Sequence, residues 1–538
     1  MSRPGILVGA LCGALVTAAL IASLFLAYAL AGLPFVPFQI FDRAARTLPG
    51  SVIRFGIDTM VAVIHGLQIG ETSSVAKTAE QTMAIGGCLL VGTLAGAVVF
   101  PISRPQAGRW QSPGIVLGLL LGVPAAWIAA SVEQPSGAGP IVDGAWVLLA
   151  FVVWGLTLTW IQNRLAIPVT TAEAPAAAEA VRIDRRRFLV RVGGATATIT
   201  VAGAALGALL TRRGVAAPAE GAPEPWSRSH PLPNADATVV PAKGTRPEVT
   251  PLADHYRIDI NTIPPAVSER DWRLKIGGLV RQPTELTLAQ LQAYEPLHQF
   301  VTLACISNPV GGDLIGTTRW TGVSLRRVLD EIGLQPGATH LRIQSVDGFF
   351  EVVPLDLVRS DERVMLTYAW DGLPLARQHG FPLRIYIPDH YGMKQPKWID
   401  SLEAVGAWEP GYWVQRGWDR EARMRATSVI DTVATDMMIV HQGRATTLIS
   451  VGGIAHAGAR GISRVEVSVD HGPWEPAMLR DPMSSTTWVI WRYDWPFRSG
   501  KHTFTVRCFE GDGTPQIATE SPISPSGATG LDRVTRML

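Results

Sequence analysis

Hydrophobicity in this chain is segregated, and that limits what it can fold into. Within the first 211 residues, the stretches 6–31, 83–101, 113–132, 145–163 and 188–211 are long enough and poor enough in charge to cross a bilayer. A sixth stretch, 51–70, is interrupted by Arg54, Asp58 and His65 and reads as an interfacial, re-entrant or amphipathic helix. Beyond residue 213 the chain has the mixed charge of an ordinary globular protein, so its 17% of charged residues averages two unlike regions. The expectation is a multi-domain protein. It has an α-helical membrane domain at 1–213, a flexible Ala/Pro/Gly-rich linker at 214–250, and globular domains at 251–424 and 425–538.

Lysine and arginine in the short loops set the orientation. With Arg3 in the cytoplasm, five spans place Arg104, Arg109, Arg164, Arg182, Arg185, Arg186, Arg187 and Arg191 there too, and everything after Arg213 outside. Arg43, Arg46, Arg54 and Lys77 oppose this arrangement and are fewer. The segment Asp184-Arg185-Arg186-Arg187-Phe188-Leu189 leads into an apolar, Ala/Gly/Thr-rich run. It reads either as a positive-inside anchor or, by resemblance, as a twin-arginine export signal, the route taken by folded, cofactor-loaded proteins. Either way the last helix stays as an anchor, and a bacterial inner membrane is the expected home. His65 is the only histidine in an apolar stretch, which argues against a haem held between spans.

The net charge of +2, from 47 Lys+Arg against 45 Asp+Glu, leaves no electrostatic footprint for nucleic acid. Cys12, Cys88, Cys305 and Cys508 form no CxxC or Cys/His cluster, which excludes zinc, iron–sulfur and c-type haem sites. Cys12 and Cys88 sit in apolar runs as small hydrophobes. Counting leaves a Cys305–Cys508 disulfide open, but the two fall in different domains.

In the first globular domain Trp272, Leu274 and Ile276 alternate with Arg273 and Lys275 before Gly277-Gly278, which predicts a half-buried strand and a turn. A short helix is expected at 287–294. Another follows Ser324 as N-cap, with Leu325, Val328, Leu329 and Ile332 on one face and Gly333 closing it. The stretches 341–353 and 383–387 are strand-like. This mixture lacks βαβ alternation and a Gly-rich dinucleotide fingerprint, so the fold class is α+β. From about residue 427 short strand candidates recur at 447–453, 463–470, 487–494 and 502–510, predicting a β-sandwich of immunoglobulin type. Trp474, Trp488, Trp491 and Trp495 are its expected core and interface aromatics.

Two segments carry chemistry. In Thr302-Leu303-Ala304-Cys305-Ile306-Ser307-Asn308-Pro309-Val310-Gly311-Gly312 a cysteine leaves an apolar strand and enters a turn-rich loop. A thiolate there suits a soft transition metal, although a merely buried cysteine has the same local pattern. In the second segment, running from His379-Gly380-Phe381-Pro382-Leu383-Arg384 through Tyr391-Gly392-Met393-Lys394 to Lys397-Trp398, four cationic or imidazole groups bracket a strand and a Gly loop. Such groups cradle a phosphate.

Taken together, these motifs resemble the sulfite oxidase family of molybdopterin enzymes over roughly 250–525, about half the chain. The resemblance implies molybdenum ligation by Cys305. It implies pterin and phosphate binding by His379, Arg384, Gly392, Lys394 and Lys397, with Asn261 as a pterin contact and Ser307 beside the metal ligand. It also implies that the stretch from Val467-Ser468-Val469-Asp470-His471-Gly472 onwards is a dimerisation-type domain. Where sulfite oxidases proper carry substrate-binding arginines, this sequence has Ile260 and Pro309-Val310, and a tyrosine near the metal is replaced by Trp418. Sulfite, a small dianion, needs fixed cations, so the sequence favours a neutral, sulfoxide-like substrate. Arg416 and Arg319 remain as groups that reach in. The expected activity is oxygen-atom transfer, with Trp418, Asp313 and Asn308 shaping the substrate side. Electrons pass to or from a separate cytochrome or quinone. The competing readings are a reductase for methionine sulfoxide or another sulfoxide in place of an oxidase, a sulfite oxidase proper, a cofactor-free membrane-tethered scaffold, and a transporter-like helical half with the outer domain as its sensor.

Overall fold

A computed structural model describes residues 5–102, 112–131, 139–165, 175–214, 224–441 and 444–538. Seven helices come first: α1 (Ile6–Ala31), α2 (Val36–Thr47), α3 (Gly50–Leu67), α4 (Thr72–Ile102), α5 (Ser112–Ser131), α6 (Pro140–Leu165) and α7 (Pro175–Gly214). Among the described residues six helical stretches are long and apolar enough to cross a membrane: α1, α3, α4, α5, α6 and residues Arg186–Leu210 of α7. Arg104 and Arg109, on which the orientation partly rests, and the first residues of the expected linker lie outside the described residues.

Contacts divide the chain into two compact units. One comprises Met1–Thr47, Lys77–Ala222 and Asn261–Ile263; the other comprises Leu48–Ala76, Pro223–Ile260 and Pro264–Leu538. In the first, glycines let helices touch at their backbones, as apolar helices do when no hydrophobic force separates protein from lipid. A Cβ on Gly9 would stand 2.3 Å from Gly96 O, and one on Gly155 2.2 Å from Gly114 O. The buried indole of Trp154 donates to Thr17 Oγ1 at 2.9 Å, tying α6 to α1.

The second unit contains two sheets and then a further pair. Strands β1 (Leu274–Gly278), β2 (Thr284–Leu286), β3 (Leu297–Ala304), β4 (Ile315–Ser324), β5 (His340–Ser345), β6 (Phe350–Pro354), β7 (Met365–Trp370), β8 (Leu373–Pro374), β9 (Arg384–Tyr386) and β10 (Ile399–Val405) build the first two. One sheet has the order β2-β1-β10-β5-β6; the other has β3-β4-β7-β8, with β9 added on β7. Among the described residues only β1 and β10 pair in parallel. Trp272, Leu274 and Ile276 are buried as their alternation predicts, and Leu325, Val328, Leu329 and Ile332 join them in one core. Gly278 has φ +74, and a Cβ there would lie 2.3 Å from Ala404 O, so this turn requires glycine. The helix over Leu325–Ile332 forms as expected, but Ser324 does not cap it. Ser324 is the last residue of β4, and its hydroxyl is buried without a partner.

Strands β11 (Thr427–His441), β12 (Arg444–His456), β13 (Ile462–Val469), β14 (Glu475–Pro476), β15 (Met478–Leu479), β16 (Val489–Pro496), β17 (Lys501–Glu510) and β18 (Arg533–Met537) form two four-stranded sheets, β11-β12-β16-β15 and β14-β13-β17-β18. Trp491, Trp495, Val467 and Phe504 from both sheets share a core. Trp474 is not in it: this ring is half-buried beneath the guanidinium of Arg507, 4.2 Å from its centroid. Cys305 and Cys508 are both free thiols.

The expected flexible linker is a correction. From residue 224 onward the chain is fastened to this second unit, because its charged and polar residues find fixed partners. Ser227 Oγ donates to Asp371 Oδ2 at 2.6 Å, Arg246 pairs with Asp431 at 2.6 Å, and Asn234 Nδ2 donates to Glu248 Oε1 at 2.8 Å. Prolines lay the backbone out, and these contacts hold it there.

Candidate active site

Cys305 follows β3 directly, and its own N–H donates to Leu314 O at 2.9 Å, which closes the loop 306–313. Neighbouring hydrogen bonds brace β3 from the C-terminal sheets: Thr302 N–H donates to Thr486 O at 3.0 Å and Trp488 N–H to Thr302 Oγ1 at 2.8 Å. The Cys305 thiol is buried, with Sγ 3.0 Å from Ser307 Oγ. Burial pushes its pKa up, against the pull of Ser307 and of the Lys397 charge. Asn308 and Asp313 turn out to be loop braces. Asn308 Oδ1 accepts from Leu314 N at 2.8 Å, and Asp313 Oδ2 accepts from Thr72 N, at the start of α4, at 2.8 Å.

The second segment brings His379, Arg384 and Lys397 together. Gly380, at φ +113, makes this possible: a Cβ there would lie 3.1 Å from the Cβ atoms of both Arg384 and Lys397. Arg384 opens β9 and is buried, stacked against Trp320 (4.6 Å) and Trp370 (4.9 Å), with Nη1 donating to His379 O at 3.1 Å. Lys397 Nζ pairs with Asp259 Oδ2 at 3.2 Å, a carboxylate that Arg257 also holds at 2.8 Å. His255 lies 5.7 Å from His379, ring to ring.

Burial dominates the electrostatics here. It lowers His379 to about 2 and His255 to about 3, each helped by the cations around it. It lowers Arg384 to about 10 and Lys397 to about 8, the latter against the pull of Asp259. Arg384 Nε and both ring nitrogens of His255 are buried without partners. Native interiors rarely leave such groups unsatisfied.

Three sequence expectations change. Lys394 is not in this cluster: its Nζ pairs with Glu351 Oε1 at 2.9 Å, both side chains being fully buried. Asn261 groups with the helical unit, where Arg46 Nη2 donates to its Oδ1 at 2.8 Å and Lys77 Nζ to its carbonyl at 3.1 Å. Arg319 and Arg416 are committed to other partners, Arg319 over Trp226 (4.5 Å) and Arg416 over Tyr412 (3.6 Å). Trp418 is buried in a cluster with Ile306, Tyr391, Met393 and the partly buried Trp413. Gly392 lies beside Tyr256, whose hydroxyl would stand 3.5 Å from a Cβ on that glycine. Burial raises Tyr256, and Cys305 adds to the shift. His255 and Tyr256 are neighbours that the sequence reading passed over. Their only signal was an aromatic pair where the ordered domain begins.

The profile of the oxidoreductase molybdopterin binding domain matches residues 261–413. Sulfite oxidase of Arabidopsis thaliana is 27% identical over 272 residues, which cover 42% of this chain and 68% of that protein. Sulfite oxidase of Gallus gallus is 27% identical over 301 residues, covering 48% of this chain and 65% of its own length. A subunit named for protein-methionine-sulfoxide reduction, YedZ1 of Azospira oryzae, is 27% identical over 153 residues, 28% of this chain and 56% of that protein. Among other curated relatives the chain spans as little as 32% of their length. This chain is a molybdopterin oxidoreductase of the sulfite oxidase family.

The site fits the molybdenum cofactor that such an oxidoreductase uses. A pterin phosphate is an anion with several acceptor oxygens, and the cluster offers Arg384 Nε and the single N–H of the neutral His255 ring without acceptors of their own. These orphaned groups leave the cofactor-free scaffold reading without support.

Proposed function

We propose that this oxidoreductase transfers an oxygen atom to or from a small, sulfoxide-like substrate outside the cytoplasm, from a domain anchored by membrane helices. The observation that carries the substrate class is the surround of the Cys305 loop. Ile306, Met393, Trp413 and Trp418 make it apolar and aromatic, which suits a neutral S=O group better than a dianion. A relative named for methionine-sulfoxide reduction points the same way.

Cys305 would hold the metal, with Ser307 tuning the sulfur through its 3.0 Å contact. Arg384, His379 and Lys397 would hold the pterin phosphate, joined by His255. Gly392, beside Tyr256, would lie along the pterin. The bound cofactor supplies the two-electron redox step. The protein's part is to exclude water around Trp418, orient the substrate oxygen, and admit two protons for each sulfoxide reduced to sulfide and water. The two electrons come from a separate cytochrome or quinone.

The same reading covers the rest of the chain. Two sheets sharing one core suit an immunoglobulin-like domain of the dimerisation type. The apolar helices other than α3 suit an inner-membrane anchor. The segment before residue 188 would act as a twin-arginine signal that delivers the loaded domain to the outside.

The test is molybdenum per chain in detergent-purified protein, with Cys305→Ala beside it. About one molybdenum per chain is expected, with an altered metal spectrum and no turnover in the variant. Turnover is assayed as dimethyl sulfoxide-dependent oxidation of a reduced viologen and as sulfite-dependent reduction of ferricyanide. No molybdenum in protein from a cofactor-competent host would refute the assignment, and activity with sulfite alone would refute the substrate class.

A further inference from the structure

Residues Leu48–Ala76 lie between helices of the first unit in sequence but belong to the unit that holds the active site. Within this stretch α3 is apolar and long enough to cross a membrane, yet it is seated on the Trp418 side of the site. Gly50 meets Arg416 so closely that a Cβ would stand 2.6 Å from Arg416 Cα. Ile57 packs on the cluster of Ile306, Met393 and Trp418. Asp58 Oδ2 accepts from Ser524 Oγ at 2.7 Å, and beyond the helix Thr72 N–H donates to Asp313. This one segment therefore touches both the loop after Cys305 and the turn before Trp418. Arg54 and Asp58, two of the polar residues that made it a poor span in sequence, help to seat it.

Arg54 is the cation this seating delivers. Its Nη1 donates to Gly417 O at 3.2 Å, and its guanidinium lies where a Cβ on Gly417 would meet Cζ at 3.0 Å. Its Nε is buried without a partner, and so is Nε1 of Trp418, the next residue along the turn. Among the described residues Arg54 pairs with no carboxylate. Two N–H donors, on Arg54 and on the residue after its Gly417 partner, are both desolvated and lack an acceptor, and each matches a ligand oxygen that accepts without needing to donate. The oxygen of a sulfoxide has that chemistry; a sulfite oxygen shares it, and turnover of sulfite in place of the sulfoxides is the outcome that would reassign the residue.

We propose that Arg54, carried by α3, is a substrate-binding and specificity-determining residue, which with Trp418 hydrogen-bonds the oxygen of a sulfoxide-type substrate. This rests on the oxygen-atom-transfer reading above. The helix is then a wall of the active site contributed from the N-terminal part of the chain, and the enzyme domain cut away from it lacks a substrate contact.

The test uses full-length, molybdenum-loaded protein with Arg54→Ala, Arg54→Lys and Asp58→Asn. Dimethyl sulfoxide and free methionine sulfoxide are the probes, and a reduced viologen is the donor. Arg54→Ala should raise KM tenfold or more and change kcat less, with molybdenum per chain and Tm unchanged. Arg54→Lys should recover part of the loss, and Asp58→Asn should leave KM alone. An unchanged KM in Arg54→Ala overturns the proposal. So does an equal loss in Arg54→Ala and Asp58→Asn with a fall in Tm, which would make Arg54 a residue that merely docks the helix. If the wild type turns over neither sulfoxide, the oxygen-transfer reading fails separately. Binding then decides, by titrating dimethyl sulfoxide into oxidised holoenzyme and following its metal–thiolate absorption. Equal affinity in wild type and Arg54→Ala, or no binding to either, overturns the role of Arg54.

Discussion

Two sets of buried charge lie within a few residues of each other in the catalytic domain and differ in one respect. Lys394 and Glu351 neutralise each other at 2.9 Å, with both side chains buried, although Glu351 Oε2 has no hydrogen-bond partner of its own. Arg384, His379 and His255 are as deeply buried, yet Arg384 Nε and the His255 nitrogens have no partner. The first set balances its own charge, and that much folding alone explains. The second is open, and a protein keeps an open set in its interior when a ligand closes it.

If that contrast holds, the two sets should fail in different ways. Lys394→Met leaves a buried carboxylate unpaired and should cost about 3–5 kcal/mol of unfolding free energy. Glu351→Leu combined with Lys394→Met should recover most of it, because well-packed apolar residues replace a buried pair at little cost. Urea melts of the two variants decide this, and molybdenum per folded chain should be normal in both. A double variant that folds as poorly as the single one would mean that the pair does more than neutralise itself.

Arg384→Gln should do the reverse. Cofactor retention should fall tenfold or more, about 1.4 kcal/mol at the least, while the cofactor-free protein melts no earlier than wild type. Molybdenum content after gel filtration and the melting temperature of the apoprotein measure the two halves. A variant that keeps its cofactor would remove Arg384 from the phosphate cradle.

The sequence makes the local halves of these sites legible and leaves out what long-range packing decides. The Cys305 loop and the His379-Gly380…Arg384 run are readable because turn residues and strand periodicity are local. Lys394 and Lys397 look equivalent in a linear chain. What separates them is Glu351, which arrives from the β5–β6 hairpin and claims only Lys394. The seat of α3 was hidden for the same reason: Arg54, Asp58 and His65 read as interruptions of a span, whereas Gly417 O and Ser524 supply partners for two of them from hundreds of residues away. Strand β11 escaped notice because register shifts between Ile430 and Thr432 and between Ala434 and Met437 break the alternation that announces a strand.

The open cluster also leaves a signature in pH. Burial holds the folded-state pKa of His379 at about 2, and His255, Lys397, Arg384 and Arg257 reinforce the shift by repelling a further proton. In the unfolded chain the same imidazole titrates near its ordinary value of 6.5. Between these limits the unfolded state binds a proton that the folded state refuses, so stability is full above pH 6.5 and is lost as the pH falls. The contribution of this one group is about 1.4 kcal/mol per pH unit. Urea melts of cofactor-free wild type and His379→Gln at pH 6.5, 5.5 and 4.5 should therefore differ in slope by up to one proton, the variant being flatter. Cofactor-loaded protein should flatten as well, since a phosphate beside the ring favours the protonated imidazole that the empty cluster rejects. The Lys394 and Glu351 double variant should not flatten: burial raises Glu351, so the folded state takes up a proton there that the unfolded state does not, and losing that group can only steepen the dependence. If it flattens too, the acid sensitivity belongs to the self-balanced pair as much as to the open cluster, and the distinction between them fails.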